Sequence, residues 1–390
     1  MKADVTRTVG RHTLKAGIDG VRLQPQETLM YDYAGYRELT HLLGLPHIHV
    51  SNNAMSFAGR ETGGQLSVYA QDTLQFGRVT ADLGVRLDHH SLVISATHVS
   101  PRVNLAVQAL DTAVLHASYN RFFVPPPIEG VLSSGAGLTR SIAEIGGPLP
   151  APQPTIEDQV EFGVTAPLRL FQVAVTGYFR VSDEPVHTTV WPDSRIYSYA
   201  SFDQARAYGL EVKADAPGLA RYGVAAFVNY ALGRVYFYNP VTGGFVTEAG
   251  HVTGTSRFLA PMDQTHTMTG GLTYSHTRTG FWVGAAVEYG SGTPMGHGGG
   301  DHPHGEGEAD HDHGAPPAPH QTVRVPAHFT GNLSAGFDLL RNTMRRSKLS
   351  LRVDVENIAN RPYLIAQEGE FSGTQFSNPR LVSLSVRFRF

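Results

Sequence analysis

The sequence predicts an all-β protein, an antiparallel up-and-down transmembrane β-barrel, on three observations. Apolar and polar residues alternate with period two in segment after segment. The connections between those segments run short, then long, then short along the chain. No window approaches the roughly 18 continuous apolar residues that a membrane-spanning helix needs.

Fifteen segments carry the alternation and are expected to be strands: 3–9, 11–23, 62–74, 79–93, 101–109, 112–123, 157–166, 170–182, 204–215, 222–237, 264–276, 280–291, 326–338, 348–358 and 379–390. In the fourth, Ala81, Leu83, Val85 and Leu87 alternate with Asp82, Gly84, Arg86 and Asp88. Phe281, Val283, Ala285, Val287 and Tyr289 form one face of a later segment. Leu349, Leu351, Val353 and Val355 alternate with Ser350, Arg352, Asp354 and Glu356, and the last segment sets Val382, Leu384, Val386, Phe388 and Phe390 against Ser383, Ser385, Arg387 and Arg389. A strand turns its side chains to opposite faces at each residue, so every such segment has one greasy and one polar face.

Short connections such as Gln75–Arg78, Leu110–Asp111 and Thr277–Thr279 are tight turns, whereas 24–61, 124–156, 183–203, 238–263, 292–325 and 359–378 are long, and a medium gap precedes the strand at 101–109. A meandering sheet with its long loops at one end produces this pattern. A soluble sandwich would bury one face of each sheet between layers, but here Arg, Asp and Glu stand opposite a clean aliphatic face. Lipid outside and water inside suit that division, and a sheet in hydrocarbon must close to satisfy its backbone.

Composition narrows the function. The formal net charge is −3 with 17% charged residues, which excludes a nucleic-acid binder held by a basic field. With 41% hydrophobic residues the chain is not a disordered acidic tail. The absence of Cys removes disulfide scaffolds, iron–sulfur clusters and thiol nucleophiles. The first residues, MKADVTRTVGRHTLKAG, lack the apolar core of a signal peptide.

Leu66–Asp88 (LSVYAQDTLQFGRVTADLGVRLD), Ser100–Val107 (SPRVNLAV), Ala117–Pro127 (ASYNRFFVPPP), Val355–Tyr363 (VENIANRPY) and Pro379–Phe390 (PRLVSLSVRFRF) together resemble consecutive strands of TonB-dependent outer-membrane receptors, in family order. The resemblance implies a receptor in the outer membrane of a Gram-negative cell that imports a scarce ligand, such as a metal chelate, siderophore, cobalamin or glycan. Energy would reach it from the TonB system through a plug domain. It also implies that the C-terminal Phe390 is read by the barrel-assembly machinery and that the long loops are extracellular. Because no TonB box or plug is legible ahead of the first strand, residues 1–390 are expected to be one N-terminally truncated barrel domain, about 15 of 22 strands. A passive porin-like barrel and a secreted all-β metal-scavenging protein are the alternatives.

Gly296–His320 is the one local anomaly, carrying His297, His302, His304, His311, His313 and His320 among Asp301, Glu306, Glu308, Asp310 and Asp312. Neutral imidazole and carboxylate suit Zn, Ni or Cu(II), so His297, His302, His304, His311 and His313 are candidate metal ligands in a His-rich extracellular loop. A solvated, Gly- and Pro-softened loop explains the same composition. His41, His47 and His49 lie in the long loop 24–61 and read more simply as ordinary loop histidines. No other cofactor is implied.

Asp88-His89-His90 invites a general-base reading, but no partner nucleophile and no G-x-S-x-G motif accompany it, so no enzymatic activity is expected. Asp82, Arg86, Asp88, Arg180, Arg352, Asp354, Glu356, Arg387 and Arg389 are expected to pair across strands on a wet inner wall. Phe122, Phe123, Tyr236, Phe237 and Tyr238 are expected to form an interfacial aromatic girdle.

Overall fold

A computed structural model describes residues 1–32, 54–128, 131–132, 151–190, 197–244, 257–295, 324–341, 347–366 and 374–388. In chain order the strands are β1 (Lys2–Val9), β2 (His12–Leu23), β3 (Gln26–Asp32), β4 (Ala54–Arg60), β5 (Gly63–Phe76), β6 (Val79–Leu92) and β7 (Ile94–Gln108). Next come β8 (Val114–Val124), β9 (Thr155–Leu168), β10 (Phe171–Asp183), β11 (Val186–Val190), β12 (Tyr197–Asp215), β13 (Val224–Gly244) and β14 (Arg257–Leu259). The last are β15 (His266–Ser275), β16 (Phe281–Gly290), β17 (His328–Arg341), β18 (Ser347–Glu356), β19 (Leu364–Ala366), β20 (Gln375–Phe376) and β21 (Leu381–Phe388).

A 17-stranded sheet dominates. Setting aside β11 and β14, which only prolong hairpins, leaves fifteen long strands, each matching one expected from the alternation. Every neighbouring pair from β1–β2 through β18–β21 is antiparallel. Tight turns close one end; Gly10 and Gly77, at φ +59°, take the left-handed conformation that such turns ask of glycine.

The connections at the other end depart from expectation in two ways. The medium gap before residue 101 is strand: β6 turns into β7 around Val93, with Leu92 opposite Ile94. Several long loops also carry strands of their own, since β3 pairs with β4 and β19 with β20 as separate ribbons, and β11 and β14 extend the main sheet.

The greasy face meets no protein layer. Leu66, Val68, Leu83, Val85, Leu87, Val99, Val103 and Leu105 share one face of β5, β6 and β7 and remain 41–51% exposed. Ser67, Asp88 and Ser100, on the opposite face, are at most 3% exposed. That inversion of the soluble pattern excludes the sandwich and fits a sheet with hydrocarbon outside and an enclosed polar interior. At 14 residues, β5 and β6 each exceed the ~9–11 residues that a tilted transmembrane strand requires. No helix among the described residues is long and apolar enough to cross a membrane. Every residue of β1 and β21 is exposed, and no pairing joins these two strands among the described residues.

The two faces can be told apart experimentally. Val85→Arg, in the middle of the outward face, is expected to lower the free energy of folding into phospholipid vesicles by about 2–4 kcal/mol. Asn104→Arg turns inward opposite Asp82 and is expected to change it by less than ~1 kcal/mol. Urea unfolding in vesicles measures both.

Candidate functional site

The inward face of β5 to β10 is a polar wall built by register. Ser67 lies opposite Asp88, and Arg86 precedes Asp88 by two residues on the same face. The three close a triangle: the Ser67 hydroxyl donates to Asp88 Oδ1 at 2.6 Å, Arg86 Nε donates to the same carboxylate at 2.8 and 3.1 Å, and Arg86 Nη2 donates to Ser67 Oγ at 2.8 Å. This network fixes the Asp88 carboxylate as an ion-pair acceptor. Period two sends His89 to the outer face, where its ring meets Thr97 Oγ1 at 2.8 Å, so Asp88 and His89 do not form a catalytic pair.

Further along the wall, Arg180 Nε donates to Gln159 Oε1 at 3.2 Å, its Nη1 lies 3.7 Å from Glu157, and Ser182 donates to Glu157 at 3.2 Å. The Arg102 guanidinium rests 5.5 Å from the centre of the Phe122 ring and has no carboxylate partner among the described residues. These side chains, with Phe123, Val124, Gln65 and Ser100, surround a cavity of about 390 Å³. The Ser100 hydroxyl, 1% exposed, has no hydrogen-bond partner among the described residues. Asp88 and Glu157 offset Arg86 and Arg180, which leaves Arg102 as the one positive charge in excess. With the unsatisfied Ser100 hydroxyl and the Phe122 ring it suits an oxygen-rich anionic group, because a guanidinium fork meets carboxylate or phosphate oxygens two at a time.

The expected pairing across strands is met only in part: Arg180 meets Glu157 of the neighbouring strand, but Arg86–Asp88 and Arg352–Asp354 pair along one strand, and hydroxyls supply the cross-strand bonds to Asp82 and Asp354. Thr73 donates to Asp82 at 2.5 Å, Ser334 donates to Asp354 at 2.5 Å, and Arg352 Nη2 lies 2.6 Å from Asp354. The expected girdle holds only in part. Tyr236 and Tyr238 do face outward, but Phe237 between them is 6% exposed and stacks on Phe202 at 5.1 Å, and Phe122 turns inward beneath Arg102 in the cavity. Consecutive aromatics in a strand cannot share a face.

The His-rich segment leaves and returns through a built neck. Pro294 and Arg324 form a bridge, and Val325 N donates to Thr293 O at 2.9 Å. Arg324 Nη1 donates to the backbone oxygens of Asp263 and Gly292 at 2.7 and 2.9 Å, and its Nη2 meets Asp263 Oδ2 at 2.5 Å. Asp263 Oδ1 accepts from Val235 N at 2.7 Å, and Arg234 Nη1 lies 3.4 Å from Oδ2, so one buried carboxylate ties the neck to β13. Gly292 has φ +85°, and a Cβ there would sit 1.9 Å from Val325 O, so only glycine fits. His297, His302, His304, His311, His313 and His320 themselves lie outside the described residues, as do His41, His47, His49, Arg389 and Phe390. Among the described residues no group of three or more His, Asp or Glu is placed to hold a metal ion.

The sequence over residues 4–358 matches the family described as TonB dependent receptor-like, beta-barrel. No curated protein sequence matches the chain. Among solved structures, the copper transporter OprC superposes with a TM-score of 0.67 at 14% identity, over 100% of this chain and 56% of that one. The FrpB iron transporter from Neisseria meningitidis (F3-3 variant) gives 0.65 at 14% identity, over 99% of this chain and 54% of that one. The closed form of the ferric-catecholate import receptor Fiu from K12 E. coli gives 0.62 at 14%, over 100% and 54%. The chain thus spans about half the length of these structures, and at such identity the likeness speaks for the fold. The family match over most of the chain goes further than fold: this chain belongs to the TonB-dependent receptors, and the bilayer met by its greasy face is the bacterial outer membrane.

Proposed function

We propose that this barrel takes part in uptake of a scarce transition metal, either as the ion or as an anionic chelate. The observation that carries the reading is the inner cavity, where Arg102, free of a carboxylate partner among the described residues, and the unpartnered Ser100 hydroxyl stand beside Phe122, while Asp88 and Glu157 hold Arg86 and Arg180. A chelate whose metal is wrapped in carboxylate or catecholate oxygens presents the charge and geometry that these groups complement. The names of two structural neighbours, a copper transporter and an iron transporter, agree with a metal cargo.

The second support is the segment 296–320 on the long-loop side, whose His297, His302, His304, His311 and His313 would capture Zn, Ni or Cu(II) loosely, through several exchangeable ligand sets. In this reading the loop raises the local concentration of metal above the barrel, and residues 1–390 act as a single barrel domain with that loop within it. Partners follow from family membership: the TonB system, acting only through a plug domain, as the energy source, and the barrel-assembly machinery, reading Phe390, as the insertion route.

Uptake of radiolabelled zinc, nickel and copper by cells carrying the chain in their outer membrane tests this. When the barrel is produced together with a plug domain, accumulation at limiting metal is expected to depend on TonB and to fall by about tenfold or more when residues 296–323 are excised. Uptake that survives loss of TonB and rises linearly with concentration marks a passive barrel and overturns the energised reading. A chain that accumulates none of the three metals, free or chelated, overturns the metal reading.

A further inference from the structure

The outward face of β12, β13 and β14 changes character at its long-loop end. Rising along β12, this face presents Val212, Leu210 and Tyr208, the last two 40% and 45% exposed to the surroundings, and then Arg206. On β13 the same face runs Leu232, Arg234, Tyr236 and Tyr238, by register with Leu210, Tyr208, Arg206 and Gln204. β14 adds Arg257 opposite Tyr238. Arginine and tyrosine thus succeed aliphatic residues within two rungs.

The arginines are held in place rather than neutralised. The Arg206 guanidinium lies 4.9 Å from the centre of the Tyr238 ring and donates through Nε to Gln204 Oε1 at 2.7 Å. Arg257 lies 4.9 Å from the centre of the Tyr236 ring. Neither has a carboxylate partner among the described residues. The nearest acid in the row, Asp183, accepts instead from Gln204 Nε2 at 3.2 Å, and Arg234 is turned towards Asp263. Elsewhere at this height the outward Arg121 is fully engaged, with two 2.7 Å bonds to Asp158. Two uncompensated positive charges therefore sit on aromatic platforms where hydrocarbon gives way to headgroups.

We propose that Arg206 and Arg257, on the platform of Tyr236 and Tyr238, form a docking site for a phosphorylated glycolipid headgroup of the outer leaflet. β13 separates the two arginine-bearing strands, so their backbones stand about 10 Å apart, a spacing that lets each meet one phosphate of a bis-phosphorylated sugar head. The tyrosine rings give the sugar a flat surface, their hydroxyl groups give it hydrogen bonds, and the aliphatic residues below receive its acyl chains. A free phosphate would gain the charge contacts and none of the apolar ones, which is why the lipid is favoured as the occupant. The role is separate from the cargo cavity, because these residues face away from the barrel interior.

Native mass spectrometry of the full chain in detergent, with bis-phosphorylated lipid A as the probe, tests this. The wild type is expected to retain one lipid A, and each arginine to supply roughly fivefold in affinity, so that Arg206→Gln with Arg257→Gln weakens retention by about 25-fold. Arg11→Gln, at the opposite end beside Phe76, serves as the control and should leave retention unchanged. Heat-modifiable gel migration verifies that each variant has folded. Retention unchanged in the folded double variant, an equal loss in Arg11→Gln, or displacement of the lipid by millimolar inorganic phosphate overturns the assignment.

Discussion

Arg324→Ala is expected to lower the stability of the neck beneath the His-rich segment by about 3–5 kcal/mol, more than Asp263→Ala does at the other end of the same ion pair. The asymmetry follows from what each substitution strands. Asp263 has a side chain 1% exposed, and without Arg324 its charge keeps only the Val235 N–H and Arg234 at 3.4 Å. Removing the Asp263 side chain leaves Arg324, 20% exposed, still donating to the backbone oxygens of Asp263 and Gly292. That loss is expected to cost about 2–3 kcal/mol, chiefly through the unsatisfied Val235 N–H. The double variant should therefore be more stable than Arg324→Ala alone, because the uncompensated buried charge has gone. Hydrogen exchange at the amides of Val235 and Val325 reads the local opening directly, and proteolysis between Gly292 and Val325 reads its consequence. Equal losses from both single variants, adding in the double, would mean that the pair carries no coupled buried charge.

This neck also shows where sequence reading stops. The fifteen long strands were legible because each must satisfy two solvents at once, lipid on one side and water on the other. That demand writes a strict alternation into residues such as Ala81–Asp88. β3, β4, β11, β14, β19 and β20 lie at the long-loop end of the sheet, past the alternating segments that face hydrocarbon, where neither face is obliged to be uniformly apolar, so no such pattern marks them. The turn at Val93 was hidden for a related reason. Ser95 to Pro101 continue the strand without a clean alternation, and only the pairing of Ser91 with Ser95 reveals a hairpin.

Period two, applied residue by residue, does resolve the girdle. It assigns Tyr236 and Tyr238 to one face and Phe237 to the other, and it separates His89 from Asp88. The inner cavity was half visible. Arg86, Asp88 and Arg180 stood out as inward charges, but Ser100, Arg102 and Phe122 join them only through registers across β7 and β8. Asp263 and Arg324 are separated by 61 residues and belong to no periodic segment, so nothing local connects them.

Replacing His297, His302, His304, His311 and His313 together by Asn is expected to weaken binding of Zn²⁺, Ni²⁺ and Cu²⁺ to the intact chain by about 100-fold or more. Asn preserves size and polarity but removes the imidazole nitrogen that these ions favour. Asp301, Glu306, Glu308, Asp310, Asp312 and the single imidazole of His320 remain, so any binding left should show the weaker preference of a mainly carboxylate cluster, with little selectivity for copper over calcium. The background is low, because among the described residues no other group of His, Asp and Glu is placed to ligate a metal. Acid provides a second check of known sign. A ligating imidazole must be neutral, so protons compete with the metal, and wild-type affinity should fall as pH drops through about 6.5, the ordinary imidazole range. The Asn variant should lose its residual binding only near pH 4, where carboxylates take up protons. Calorimetric titration of the full chain in detergent at pH 7.5 and 5.5 separates the two profiles. Equal affinity in wild type and variant at pH 7.5 would reduce the segment to a solvated loop, while leaving the arginine-lined cavity as the site that has to select the cargo.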